Sequence, residues 1–337
     1  MSRRIQLGVL IALVLSLAAT AYRAPAEGRD VEPEIRARAR ALPSVGAGLI
    51  ALKRDASGRY YVAAAPANTI SIFGPDGKLL GQIPDANSPD AAKGNKINFA
   101  ADFDVDSTGR VLVADRGANA VKIFSPDRSL SATIPIPGPT SIAALPGDEF
   151  AVTSLRYRRL MMIYGVGGTL VRAIGDPLDF APHIDFTRTP DLGRVSADPA
   201  GNIYFVFSFL PVPTVRRFDR FGYAGNEIAL DEFAPESHRR ELLSLERHSA
   251  PSAKPEINAL GVDSVTQEIW IAVGDELLRF DKDGARSGAY RTLSPAGAPL
   301  FPKMILVEPD RLLLGTDSFG VFDFARPVKN LPTSSAH

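Results

Sequence analysis

The chain has 337 residues, 45% of them hydrophobic and 23% charged, and its 38 lysines and arginines balance its 38 acids. That length allows one large domain or two ordinary ones, and a net charge of zero leaves no global field to favour nucleic acid or an anionic membrane. There is no cysteine, which excludes disulfides, thiolate catalysis and cysteine-ligated zinc.

Residues 1–26 read as a secretory signal. Arg3 and Arg4 precede the apolar run Ile5 to Ala19, and Ala19-Thr20-Ala21 or Ala24-Pro25-Ala26 offers a small-residue cleavage site. The other reading is an uncleaved anchor, but the run is shorter than the roughly 20 residues a span needs. With no cysteine after it, a lipid anchor is excluded. The expectation is a periplasmic or secreted protein with no stable membrane span after cleavage. Residues 27–44 hold the alternating stretch Ile35-Arg36-Ala37-Arg38-Ala39-Arg40-Ala41-Leu42. It reads either as a solvated linker or as an edge strand that closes a ring.

From residue 45 to 327 the chain repeats one pattern. The clearest copy is Phe103 to Phe124, in which three short apolar strands are separated by Asp106-Ser107-Thr108-Gly109 and by Asp115-Arg116-Gly117-Ala118-Asn119. Gly, Asp and Asn supply the tight reversals. Its third strand recurs with anchor aromatics at Phe73, Phe124, Tyr164, Phe218, Phe280 and Phe322. Their spacing of roughly 40 to 60 residues suits one four-stranded propeller blade per copy. Residues 328–337 are left as a tail.

The segment Phe103 to Phe124 resembles an NHL repeat. Asp106, Gly109, Ala114, Asp115, Asn119 and Phe124 fall on that pattern, and Asp55 to Gly77 fits it except that Ala64-Ala65 stands where Ala-Asp is expected. The resemblance implies an all-β, six-bladed β-propeller of four-stranded antiparallel blades. It implies no single activity, because the fold hosts lyases, lactonases and binding proteins.

Four insertions separate the copies: Pro84 to Ala101, Gly175 to Gly193, Leu230 to Ile257 and Leu293 to Pro302. In a four-stranded meander they emerge on the same face as the loops after each second strand, so that face is the expected binding face. One insertion carries an amphipathic helix pattern, Pro235 to His248, read as a cap over the loops.

Residues that bear chemistry are sparse. His183, His238, His248 and His337 include no pair at helical metal spacing, and there is no Ser-His-Asp arrangement or phosphate-cradling glycine loop. Binding residues are therefore sought on the looped face. Arg156 and Arg158, with Arg116 and Arg194, would form a basic funnel for an anionic ligand; the alternative is solvated arginines paired with Asp185 or Asp191. Asp115 and Asn119 share the loop of Arg116, Phe209 belongs to an apolar loop, and His183 would overhang them. Lactonase-like propellers hold a divalent ion such as calcium with acidic and Asn ligands. By that resemblance Asp102 and Asn258 are candidates, against a plain hydrogen-bonding role. The favoured reading is a monomeric binding or scaffolding module for a protein or a small anion. The alternative is a metal-dependent hydrolase or lyase with its site at the channel mouth.

Overall fold

The computed structural model describes residues 33–85, 95–176, 192–208, 212–233 and 257–327. The chain divides into Met1–Pro33 and Glu34–His337, and only the second is described below. The helix expected over Pro235 to His248 lies outside the described residues.

Two short strands come first, β1 (Glu34–Arg36) and β2 (Ala39–Arg40). Blade one is β3 (Leu49–Arg54), β4 (Tyr60–Ala64), β5 (Ile70–Phe73) and β6 (Leu79–Ile83). Blade two is β7 (Ala100–Val105), β8 (Val111–Asp115), β9 (Ala120–Phe124) and β10 (Leu130–Pro135), and blade three is β11 (Pro139–Leu145), β12 (Glu149–Ser154), β13 (Met161–Gly165) and β14 (Leu170–Ile174). Blade four is β15 (Gly193–Ala197), β16 (Ile203–Phe207), β17 (Thr214–Phe218) and β18 (Ala224–Ala229). Blade five is β19 (Ile257–Val262), β20 (Ile269–Val273), β21 (Glu276–Phe280) and β22 (Arg286–Leu293). Blade six has β23 (Pro302–Val307), β24 (Arg311–Thr316) and β25 (Gly320–Ala325) from its own stretch of chain. Each blade is an antiparallel meander, and the first strands β3, β7, β11, β15, β19 and β23 neighbour one another in a closed ring. The molecule is a six-bladed β-propeller.

Local chemistry explains the meander. The second strands are buried along most or all of their length, wholly so in Val111–Asp115 and Ile203–Phe207, because each is covered by a blade on both sides. After the first strand the chain reverses on an aspartate. The Asp106 carboxylate accepts from the Thr108 and Arg110 amides at 2.9 Å each, and Asp55 and Asp198 repeat the device. This is the side-chain-bonded turn that aspartate favours. Gly109 closes it at φ 84°, a conformation that costs glycine little.

These turns also stitch the blades together. Glu308 takes Arg54 at 3.1 Å and Tyr60 Oη at 2.8 Å from blade one, and Arg326 reaches Glu268 at 2.6 Å. The Glu268 carboxyl lies below its ordinary pKa: burial pushes it up, but the bonds from Arg279 and Arg326 outweigh that. The face carrying the tight turns is thus rich in internally paired charge.

The aromatic anchors share one register. Phe73, Phe124, Phe218 and Phe280 each pair with the first residue of the preceding strand and are buried. Tyr164 pairs with Phe150 and is only partly buried. In blade six the equivalent residue is Phe324, paired with Leu312, and not Phe322, which pairs with Leu314. The irregular turn Glu308-Pro309-Asp310-Arg311 obscures the register there, and apolar residues alternate on both sides of the true position.

Blade six is completed from the other end of the chain. β2 pairs antiparallel with β25, Ala39 opposite Asp323 and Arg40 opposite Phe322. β1 runs parallel to β22 as a fifth strand of blade five. Between them Ala37 N donates to Leu293 O and Arg38 N to Asp323 O. The segment therefore covers two edges that would otherwise offer unpaired main-chain groups to another chain. Deleting residues 33–44 is expected to lower Tm and to promote self-association, read by calorimetry and light scattering. An unchanged melt would make the segment a tether.

Candidate functional site

Among the described residues, two places on the propeller combine polar and apolar groups: the rim of the looped face and the central channel. On the rim, the Asp115 carboxylate accepts from Asn98 N and Phe99 N at 2.9 Å and from Ala118 N at 3.1 Å, which caps the 3-10 turn Arg116–Ala118. The turn ends at Asn119 in the left-handed conformation, φ 51°, and the Asn119 side chain accepts from Gly138 N of the next blade at 2.9 Å. Asp115 is fully buried and also pairs with Lys122 at 2.9 Å. Expected as ligand-binding residues, Asp115 and Asn119 instead hold the loop in shape. The signal was already in the sequence, since both belong to the repeat pattern itself and not to one copy.

The loop they fix presents Arg116, whose guanidinium lies 4.8 Å from the centre of the Phe99 ring. In the neighbouring blade Arg156 and Arg158 are exposed, and Leu155 is 42% exposed. Gly138 links the two loops: an added Cβ would meet Leu155 and Arg156 within 4 Å. Arg116 and Arg156 therefore belong to adjacent loops on one face. Arg159 pairs with Asp176. Beyond the channel, Phe301 and Phe319 of blade six are 56% and 61% exposed on loops of the same face. His183 and Phe209 lie outside the described residues.

Arg194 departs from the funnel grouping, because it lines the channel. So do Lys53, Asp102, Asp104, Ser141 and Lys303, around a cavity of about 260 Å³. Register explains the cluster. Asp102, Ser141 and Arg194 are opposite Ala114, Thr153 and Val206, equivalent positions in blades two, three and four. Ala51, Ala259 and Met304 hold the same level in blades one, five and six. At this level one wall is thus polar and the other apolar; Leu260, Leu306 and Val307 extend the apolar side, while Lys53 of blade one and Lys303 of blade six also line the channel. β15 lacks the bulge that the other five first strands carry after their first residue. Gly193 packs so closely that a Cβ there would fall 2.5 Å from the Phe205 ring and 2.4 Å from Val206 O, so only glycine allows this approach.

The polar wall is bonded across blades. Ser141 Oγ donates to Asp102 Oδ2 at 2.6 Å and accepts from Val195 N at 3.1 Å. Lys53 Nζ sits 3.3 Å from Asp104 Oδ1. Burial raises the Asp102 pKa, and Lys53 and the Ser141 hydroxyl only partly offset it. Burial pulls Lys53 down, but Asp104 and Asp102 outweigh it and raise its pKa. Arg194 is lowered by burial, with Asp102 opposing. Arg194 Nη2 donates to Asn258 O and to Ile257 O. Lys303 Nζ lies 3.4 Å from Asn258 Oδ1.

For the expected metal ligands, this arrangement is a poor fit to a further cation. Asp102 already faces Lys53 and Arg194, and the Asn258 amide oxygen faces Lys303. Among the described residues no three His, Asp or Glu side chains come close enough to share an ion. Sequence reasoning missed Lys53, Asp104 and Ser141. The available signal was polar residues two apart in otherwise apolar first strands, Asp102 and Asp104 above all.

The fold and its lined channel define the class, a six-bladed propeller. No protein-family model matches the chain, and no curated protein matches it. Among solved structures it is similar to a streptogramin B lyase, with a TM-score of 0.52 and 15% identity over 85% of each chain. It is similar also to the WD40 repeats of RRP9, with a TM-score of 0.55 and 12% identity over 87% of this chain and 99% of that one. A third likeness is to a chain of a nidogen–laminin complex, with a TM-score of 0.50 and 14% identity over 74% of this chain and 83% of that one. At these identities the likeness is one of fold.

Proposed function

We propose that this chain is an exported propeller that works as a binding module, with a protein partner seated on its looped face. The carrying observation is the composition of that face. Phe99, Leu155, Phe301 and Phe319 are exposed there, interleaved with Arg116, Arg156 and Arg158. Aromatic residues and arginine are the types enriched where binding energy concentrates. The likeness to a chain of a nidogen–laminin complex supports the reading, and the signal-like residues 1–26 support export. Among the described residues no helix is long and apolar enough to cross a membrane.

The double variant Phe99→Ser/Phe319→Ser is expected to melt like the wild type, since both side chains are exposed. It is also expected to lose the cross-linked partner that the wild type captures in its native compartment. Identical cross-links in both proteins would overturn the reading. Export is checked separately by fusing residues 1–30 to a leaderless alkaline phosphatase, which is expected to become active.

A chelator is expected to leave Tm unchanged, because Asp102 and Asn258 are occupied by protein partners. A stoichiometric metal whose removal lowers Tm would instead favour the hydrolase or lyase reading.

A further inference from the structure

We propose that the central channel is a binding site for a small monocarboxylate with an apolar body, its carboxylate held by Arg194 and its body laid against blades five and six. This rests on the channel alone and is independent of a partner on the looped face.

Three observations carry it. The first is the state of Arg194. Among the described residues it forms no ion pair, and both of its hydrogen bonds leave from Nη2, to the carbonyls of Ile257 and Asn258. Nη1 and Nε remain for an acceptor, and with Nη2 given to the two carbonyls either of them can make one charged hydrogen bond to a carboxylate oxygen. A guanidinium held in a low-dielectric channel gains more from an anion than one in water does.

The second is that, although Asp102 faces Arg194, the carboxylates of both nearby acids are bonded to other groups. Asp104 is paired with Lys53, and its other oxygen accepts from Ala144 N at 2.9 Å. Asp102 is held by Ser141 Oγ and by its own strand through Phe103 N. Neither makes a salt bridge to Arg194.

The third is the shape of the cavity. Its free volume of about 260 Å³ lies just under the roughly 300 Å³ at which pockets for drug-sized ligands begin, so a small metabolite fits and a large one does not. Opposite the polar wall stand Ala259, Leu260, Met304 and Leu306. A purely inorganic anion would leave this wall unused, whereas an apolar body would cover it and gain about 25 cal/mol per Å² removed from water.

The test is isothermal titration of the full chain with 3-phenylpropionate and with 3-phenylpropionamide, which share a shape and differ in charge. The acid is expected to bind and the amide to bind about 10- to 100-fold more weakly, the loss that one charged hydrogen-bonded contact represents. Arg194→Met, which keeps the length of the side chain, is expected to lose the acid while retaining the wild-type circular dichroism spectrum. Phe99→Ser/Phe319→Ser is expected to bind the acid as wild type does, which separates this site from the looped face. A folded R194M that binds the acid normally would overturn the proposal. If R194M does not fold, the wild type decides. Equal affinity for acid and amide, or no binding of the acid up to about 10 mM, overturns it.

Discussion

Truncating Phe124 to alanine is expected to destabilise the propeller by about 3–5 kcal/mol. The ring is fully buried, opposite Val111 in β8 and Leu130 in β10. It belongs to a cluster that draws Tyr61, Ile70 and Ile72 from blade one and Phe103, Val111 and Val113 from blade two. Removing it opens a cavity between two rigid sheets that the ring of blades prevents from closing inward, so little of the loss is recovered by collapse. Tyr164, the same register position in blade three, is only partly buried and bonds Tyr157 through its hydroxyl at 2.8 Å. Its truncation is expected to cost less. Denaturant unfolding of both variants measures the difference. A Phe124→Ala loss below about 1 kcal/mol would show that this position is not a blade-packing anchor.

Asp115→Ala is expected to be as damaging, at about 3–5 kcal/mol, for an electrostatic reason. The substitution strips three backbone N–H groups of their acceptor and leaves the Lys122 ammonium, itself 5% exposed, without its carboxylate. Among the described residues the ammonium would keep only the carbonyl of Lys96. Asp115→Asn keeps the shape and removes the charge, so it tests the pair directly. Burial raises the Asp115 pKa, but the Asn98 and Phe99 amides and Lys122 outweigh it, and the group titrates below its ordinary value of 3.8. A depressed folded pKa stabilises the native state above the unfolded value, and that contribution is lost as pH falls through the folded one. The gap in stability between wild type and Asp115→Asn should therefore be full at neutral pH and shrink below pH 3.8. A gap that stays constant down to acid unfolding would falsify the assignment of a charged Asp115.

The repeat was legible because its signals are local. Apolar alternation, Asp-x-x-Gly turns and a terminal aromatic recur within each copy, and each is dictated by residues a few positions apart. The same locality misled the reading of single residues. Asp115, Arg116 and Asn119 sit side by side in sequence, so all three looked like ligand residues on one loop. The backbone turns Asp115 inward to cap a 3-10 turn, spends Asn119 on the next blade, and leaves Arg116 outside on Phe99. Blade six shows the limit from another side. Its aromatics Phe322 and Phe324 are two apart, and only pairing with β24 decides that Phe324 takes the anchor register.

The sequence by itself determined the number of copies, the strand and turn order within them, and the face to which long loops must go, because these follow from chain-local geometry. Tertiary structure alone decided the channel. Ser141 and Asp102 are 39 positions apart, and Arg194 and Asn258 are 64 apart. No local pattern encodes these meetings. They exist because ring closure brings equivalent strand positions of successive blades to one level around one axis. There, side chains unremarkable in their own strands become one polar wall.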